Sequence, residues 1–275
     1  MKKGFLILGI LLSWNFLIIG IALSEPVIFF DEDVSKYNGN DVPRIDYPKS
    51  TTVSKKFFKN LNKTNVESFE SFEPDEHLPI TINFGDAGNA TLKGETNQIY
   101  KIEDPKKTHS GTFPTSGNNY LLSLGDFYIE FEKEQSAFGF FITDLEINSA
   151  KLIFENTKGE AKSFHIPYTR PSKSGSVAFW GIIDTEFSFN KVTFAGQNNK
   201  DGFGFDDFII GTKEQLSYIS GCIAVKDNPL SQGKVMLMQS GEIFQSIQLD
   251  KNGCYKFYDY NESKPFSVVI RKSDN

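Results

Sequence analysis

The fold class the sequence predicts is all-β: an antiparallel jelly-roll sandwich followed by a small transthyretin/Ig-like β-sandwich. Three observations predict it. Short runs rich in Phe, Ile and Val recur from Val66 to Thr212, separated by Gly, Asn, Lys and Pro clusters. No apolar pattern of period 3.6 lasts beyond two turns, so no long helix is expected. Aromatics make up 14% of the 275 residues, with 27 Phe, which is far too many for a disordered chain.

The elements follow in chain order. Met1-Lys2-Lys3 supplies a positive n-region, and Gly4 to Leu23 is almost wholly apolar. Ala22-Leu23-Ser24 then places small residues at a cleavage site, so residues 1–24 read as a secretory signal peptide, with an uncleaved anchor as the competing reading. Either way the rest of the chain is exported, and the membrane is a partner only through an uncleaved N-terminal segment. Residues 25–65 are polar and lack a sustained period, and they read as a linker or arm from which Phe29-Phe30 and Phe57-Phe58 could dock. Within 66–213 the strand candidates include Thr81–Phe84, Leu124–Glu132, Phe138–Asp144, Lys151–Glu155, Val177–Ile183, Phe187–Phe194 and Phe205–Ile210. Residues 219–275 form the second unit, with a hairpin turn expected at Asp250-Lys-Asn-Gly253. A unit this short is marginal on apolar burial alone.

Composition excludes several classes. Lys and Arg total 29 against 35 Asp and Glu, a net charge of -6, which argues against nucleic acid as a partner. Two Cys and three His exclude a multi-zinc protein. His-Glu-x-x-His and Gly-x-Ser-x-Gly are both missing, and Asp201-Gly-Phe-Gly-Phe205 lacks the βαβ setting of a dinucleotide loop. Nothing singles out an acid–base pair, so the protein is read as a non-enzyme.

Two resemblances are carried by particular residues. Glu67-Ser-Phe-Glu-Ser-Phe-Glu73, Phe113-Pro-Thr-Ser-Gly-Asn-Asn-Tyr120 with Ala137–Asp144, and Phe179–Asp184 leading to Asp201–Phe208 resemble the β-sandwich domains of exported bacterial surface proteins of the PEP-CTERM type. The Phe-Glu opening and Asp-Asp close are similar in design to MAM jelly rolls. Ser220-Gly-Cys, Asn228-Pro-Leu, Lys234-Val-Met-Leu and Asp250-Lys-Asn-Gly-Cys-Tyr-Lys-Phe257 resemble a carboxypeptidase regulatory-like module, which implies a non-catalytic stalk or adhesion unit.

Three candidate constellations remain. Cys222 and Cys254 sit in strands of the small unit, and export permits a disulfide; two buried thiols are the alternative. If the first and last strands of the sandwich pair, Glu70, with Glu67 or Glu73 as further candidates, comes near Asp206 and Asp207. Alternation along a strand then turns one of those two inward or toward a sheet end, and burying an unpaired carboxylate is costly. Calcium would relieve it, with the Asp86 loop adding ligands; a solvated edge with turn amides is the plainer account. Trp180, Tyr120, Tyr128 and Tyr168 are the candidates for stacking on a sugar, with Asn118, Asn119 and Arg170 as polar contacts; burial of Trp180 beside Phe179 is the alternative for that ring. Together these readings describe a non-catalytic extracellular protein, secreted or at the cell surface. Its partner would be an extracellular polysaccharide or a surface protein; the alternative is a structural or adhesion protein with no sugar site.

Overall fold

The structure, a computed structural model, describes residues 26–39, 42–145, 150–167, 174–196, 202–225, 228–229, 233–258 and 266–271. The signal segment 1–24, Tyr168 and Arg170 lie outside the described residues. Among the described residues, no helix is long and apolar enough to cross a membrane.

Thirteen strands and one helix form the first part: β1 (Val27–Asp33), α1 (Pro48–Phe58), β2 (Val66–Glu67), β3 (Ile80–Asn83), β4 (Asn89–Lys93), β5 (Asn97–Lys101), β6 (Asn119–Ser123), β7 (Phe127–Gln135), β8 (Ala137–Thr143), β9 (Lys151–Glu155), β10 (Ala161–His165), β11 (Val177–Ile183), β12 (Phe189–Ala195) and β13 (Phe203–Gly211). They make two sheets. Sheet I runs β1-β11-β8-β13-β6-β5, with β2 added against β13, and sheet II runs β10-β9-β12-β7-β4-β3.

Strands β6 to β13 pair first with last: β6 with β13, β7 with β12, β8 with β11 and β9 with β10, each pair antiparallel. This is a long double ribbon rolled up on itself, the jelly-roll connectivity expected from the sequence. Alternating residues supply the core between the sheets. Phe138, Phe140, Ala178, Trp180, Phe205 and Phe208 from sheet I meet Phe127, Ile129, Phe154, Val192 and Phe194 from sheet II. Their rings pack edge-on or offset, for example Phe127 on Phe194 at 4.3 Å.

Strands β8 and β11 are buried along their whole length, because sheet I is covered on both faces. The cover comes from the segment read as a polar arm, and that expectation is corrected here. β1 pairs with β11 along its full length, and α1 lies across the outer face. The Phe57 ring rests on a cross-strand glycine pair, Gly139 opposite Gly181. A Cβ on either glycine would stand 2.9 Å from that ring. Asp33 at the end of β1 caps the helix, its carboxylate accepting from the Lys49 and Ser50 amides at 3.3 and 2.8 Å.

The second part holds β14 (Tyr218–Cys222), β15 (Ala224–Val225), β16 (Asn228–Pro229), β17 (Lys234–Gln239), β18 (Glu242–Gln248), β19 (Cys254–Tyr258) and β20 (Phe266–Arg271). β14 pairs with β19, and β18-β17-β20 form a three-stranded sheet around Val235, Leu237, Leu249 and Phe257. The Asp250–Gly253 turn is present, its Asp250 carboxylate accepting from the Asn252 and Cys254 amides. It is not a hairpin turn, however, since β18 pairs with β17 and β19 with β14. Cys222 and Cys254 face each other across β14 and β19 and are joined by a disulfide.

Candidate functional site

The outer face of sheet I also carries a surface groove. Segment 42–47, leading into α1, lies against segment 105–117, and between them opens a groove of about 470 Å³. Phe113 and Tyr120 are buried in the outer core and seat the second segment. Hydrogen bonds fix the two segments together. The Tyr47 hydroxyl donates to the Thr115 carbonyl at 2.6 Å, Arg44 Nε to the Lys107 carbonyl at 2.8 Å, and Thr108 Oγ1 to the Val42 carbonyl at 2.7 Å. The Arg44 guanidinium lies 5.4 Å over the Phe113 ring, and its Nη2 is buried with no hydrogen-bond partner among the described residues. Burial lowers the Arg44 pKa from its ordinary value. The walls thus offer Arg44, Asp46, Tyr47, Lys106, Thr115 and Ser116.

Beneath this loop lie Asp206 and Asp207, in an arrangement that strict alternation does not allow. Phe203 and Phe205 face the inner core, and so do Phe208 and Ile210, so the phase of β13 changes between them. The cause is a bulge: the register to β8 shifts between Asp206 and Ile209, and Asp207 has φ of 50°. Both carboxylates therefore meet the same loop, and neither points into the sandwich core. Asp206 Oδ2 accepts from the Thr115 amide at 2.7 Å and the Ser116 amide at 2.9 Å, and Oδ1 accepts from the Asp207 amide at 2.8 Å. Asp207 accepts from Ser116 Oγ at 2.6 Å and Thr115 Oγ1 at 3.0 Å. Desolvation, and then the Asp207 charge, push Asp206 well above the ordinary carboxylate range, against the pull of those amides. The same two carboxylates, after burial, raise the Tyr47 hydroxyl.

Glu70 grips the other end of the loop, its Oε1 accepting from the Asn118 and Asn119 amides at 2.8 and 2.6 Å. Strand β2 pairs with β13, as expected, with Glu67, one of the three candidate glutamates, opposite Phe208. Asp86 stands apart, on the turn between β3 and β4 of sheet II, where its carbonyl receives Lys133 Nζ at 3.0 Å. The four carboxylates are not gathered as one set: the loop hydrogen-bonds to three, and the fourth lies elsewhere. Among the described residues no group of three or more His, Cys, Asp or Glu is placed to hold a metal ion.

The sugar-stacking assignment needs correction as well. Trp180 and Tyr120 are both 0% exposed and offer no face to a ligand. Trp180 packs between Phe140 and Phe154 in the inner core, and the Tyr120 hydroxyl pairs with Thr112 Oγ1 at 2.8 Å. Asn119 is also buried, and its amide nitrogen donates to the Phe69 and Phe72 carbonyls. Sequence reasoning missed Arg44 and Tyr47 because they lie in the supposed arm. The available signal was local: Pro43 and Pro48 bracket a stretch holding Ile45 and Tyr47, an unusual density of rigid and apolar residues for a linker.

Fold and groove together define an all-β protein with a jelly-roll sandwich, a covered outer face and a small disulfide-bridged β unit. No known protein family matches the chain, and no curated protein matches it. Among solved structures, a carbohydrate-binding module, TmCBM61, determined in complex with β-1,4-galactotriose, aligns with 53% of this chain and 94% of its own at 16% identity, with a TM-score of 0.27. At that degree of likeness nothing about ligand or mechanism transfers.

Proposed function

We propose that the protein is a non-catalytic extracellular binding protein whose groove between segments 42–47 and 105–117 takes a carbohydrate. The observation that carries this reading is the groove itself: an open feature edged by charged and hydroxyl side chains, with the Tyr47 ring on one wall. Sugars present many hydroxyls and an apolar C–H face, which suit such a mixture. Asp206 and Asp207 behind the groove are engaged by the loop, and Asp46 is a single carboxylate on its wall, so the groove supports binding rather than a paired acid and base. The N-terminal apolar segment and the Cys222–Cys254 bridge fit an oxidising, exported setting. The carboxypeptidase regulatory-like pattern of the second unit fits a stalk that presents the sandwich.

A glycan array probed with the protein and with its Arg44→Ala and Tyr47→Ala variants tests the reading. Binding that both variants weaken about tenfold supports it; binding that neither changes removes the groove. A second reading has its own observation, because the small unit exposes Ile243, Phe244, Phe266 and Ile270. Silence across the array together with self-association lost in Phe244→Ser would favour adhesion through protein contacts.

A further inference from the structure

We propose that the exposed lysine face of α1 extends the groove into a binding surface for an acidic polysaccharide. This rests on the groove reading and adds the charge class of the ligand. From Tyr47 to Val66 the chain holds five lysines and no Asp or Glu, although acids outnumber bases over the whole chain. The structure gathers these charges on one side. Ser50, Val53, Ser54 and Phe57 face sheet I, while Lys49, Lys55, Lys56 and Lys59 stand exposed. Among the described residues none of these four lysines has an ion-pair partner, whereas Lys93, Lys162 and Lys191 elsewhere each do.

Helix stability does not account for the pattern. Lys55 and Lys56 in the last turn suit the helix dipole, but Lys49 in the first turn opposes it, and the acid at that end, Asp33 of β1, is taken up by the Lys49 and Ser50 amides. The helix starts at Pro48, one residue beyond groove-lining Tyr47, so the lysine stripe continues from a groove that already holds Arg44 and Lys106. A flexible polyanion lying in the groove would run onto that stripe. A bilayer is the poorer fit, because the apolar stripe of α1 is already spent on sheet I and its outer face has nothing to insert.

The test uses polygalacturonate as the acidic probe, dextran as the neutral one, and phosphatidylglycerol vesicles as the competing surface. The protein is compared with Lys55→Gln/Lys56→Gln/Lys59→Gln, which keeps helix propensity, and with Arg44→Ala; thermal unfolding confirms that each variant is folded. The expected result is polygalacturonate binding that weakens with salt and falls about tenfold in the triple variant at an unchanged unfolding midpoint. Polygalacturonate binding that the triple variant retains overturns the proposal, and if Arg44→Ala abolishes that binding the groove reading survives alone. Loss in the triple variant with no effect of Arg44→Ala keeps the lysine surface and removes the groove. Binding to vesicles but not to polygalacturonate, or to dextran alone, or to none of the three, also overturns it.

Discussion

Asp206 is 1% exposed and ties three backbone amides to one carboxylate. In Asp206→Asn one side-chain oxygen becomes a donor facing the Thr115 and Ser116 amides, which are themselves donors. A loss of about 2–3 kcal/mol is expected by denaturant unfolding. The pH dependence follows from the direction of the shift. Asp206 is raised above its unfolded value, so its contribution favours the folded state below that unfolded value. The contribution fades as pH rises through the higher folded one. Subtracting the Asp206→Asn profile from wild type should therefore leave a stability difference that declines with rising pH; a difference that grows would show that Asp206 is held ionised. An Asp-Asp pair within an apolar strand was visible in the sequence. The bulge was not, because a two-residue alternation cannot register one inserted residue.

At the scale of elements, α1 and β1 are the instructive case. Only two large apolar residues, Val53 and Phe57, face the sheet from α1, and the remaining buried positions are Ser50 and Ser54. Hydropathy therefore reports a polar segment, although Ser50 Oγ is bonded to both Asp33 and the Val177 carbonyl. Phe57→Ala should cost about 3–5 kcal/mol, where a loose arm would lose almost nothing. Gly139→Ala should cost about 1–3 kcal/mol by overpacking against Phe57, and much of that cost should vanish when Phe57 is already Ala, a coupling that a double-mutant cycle measures. In the small unit the bridge closes a separation of 32 residues. Replacing Cys222 and Cys254 by Ser should lower the stability of that unit by about 3–4 kcal/mol, read from protease sensitivity of the 218–271 region.

For the whole molecule, the rolled ribbon explains why one part of the chain can lock another 90 residues away: the Thr115 and Ser116 loop precedes the ribbon and Asp206 lies in its last strand. Chelation tests the metal alternative at this scale. With Glu70, Asp206 and Asp207 engaged by amides and hydroxyls, EDTA is expected to leave the unfolding midpoint unchanged; a clear drop would mean that a bound cation contributes to the fold.

What the sequence determined by itself is what repeats locally. Period-two apolar runs, turn residues between them and the two lone cysteines set an all-β class and the candidate bridge, because each depends on residues close in the chain or on simple counting. Only the tertiary structure decided which faces of sheet I are covered, and that Trp180 and Tyr120 belong to cores. The structure alone also turned Asp206 and Asp207 to the same side and put the groove where residues 42–47 meet residues 105–117. Each of these outcomes depends on which distant segment packs against which face, a choice made by burial and hydrogen bonding across the fold.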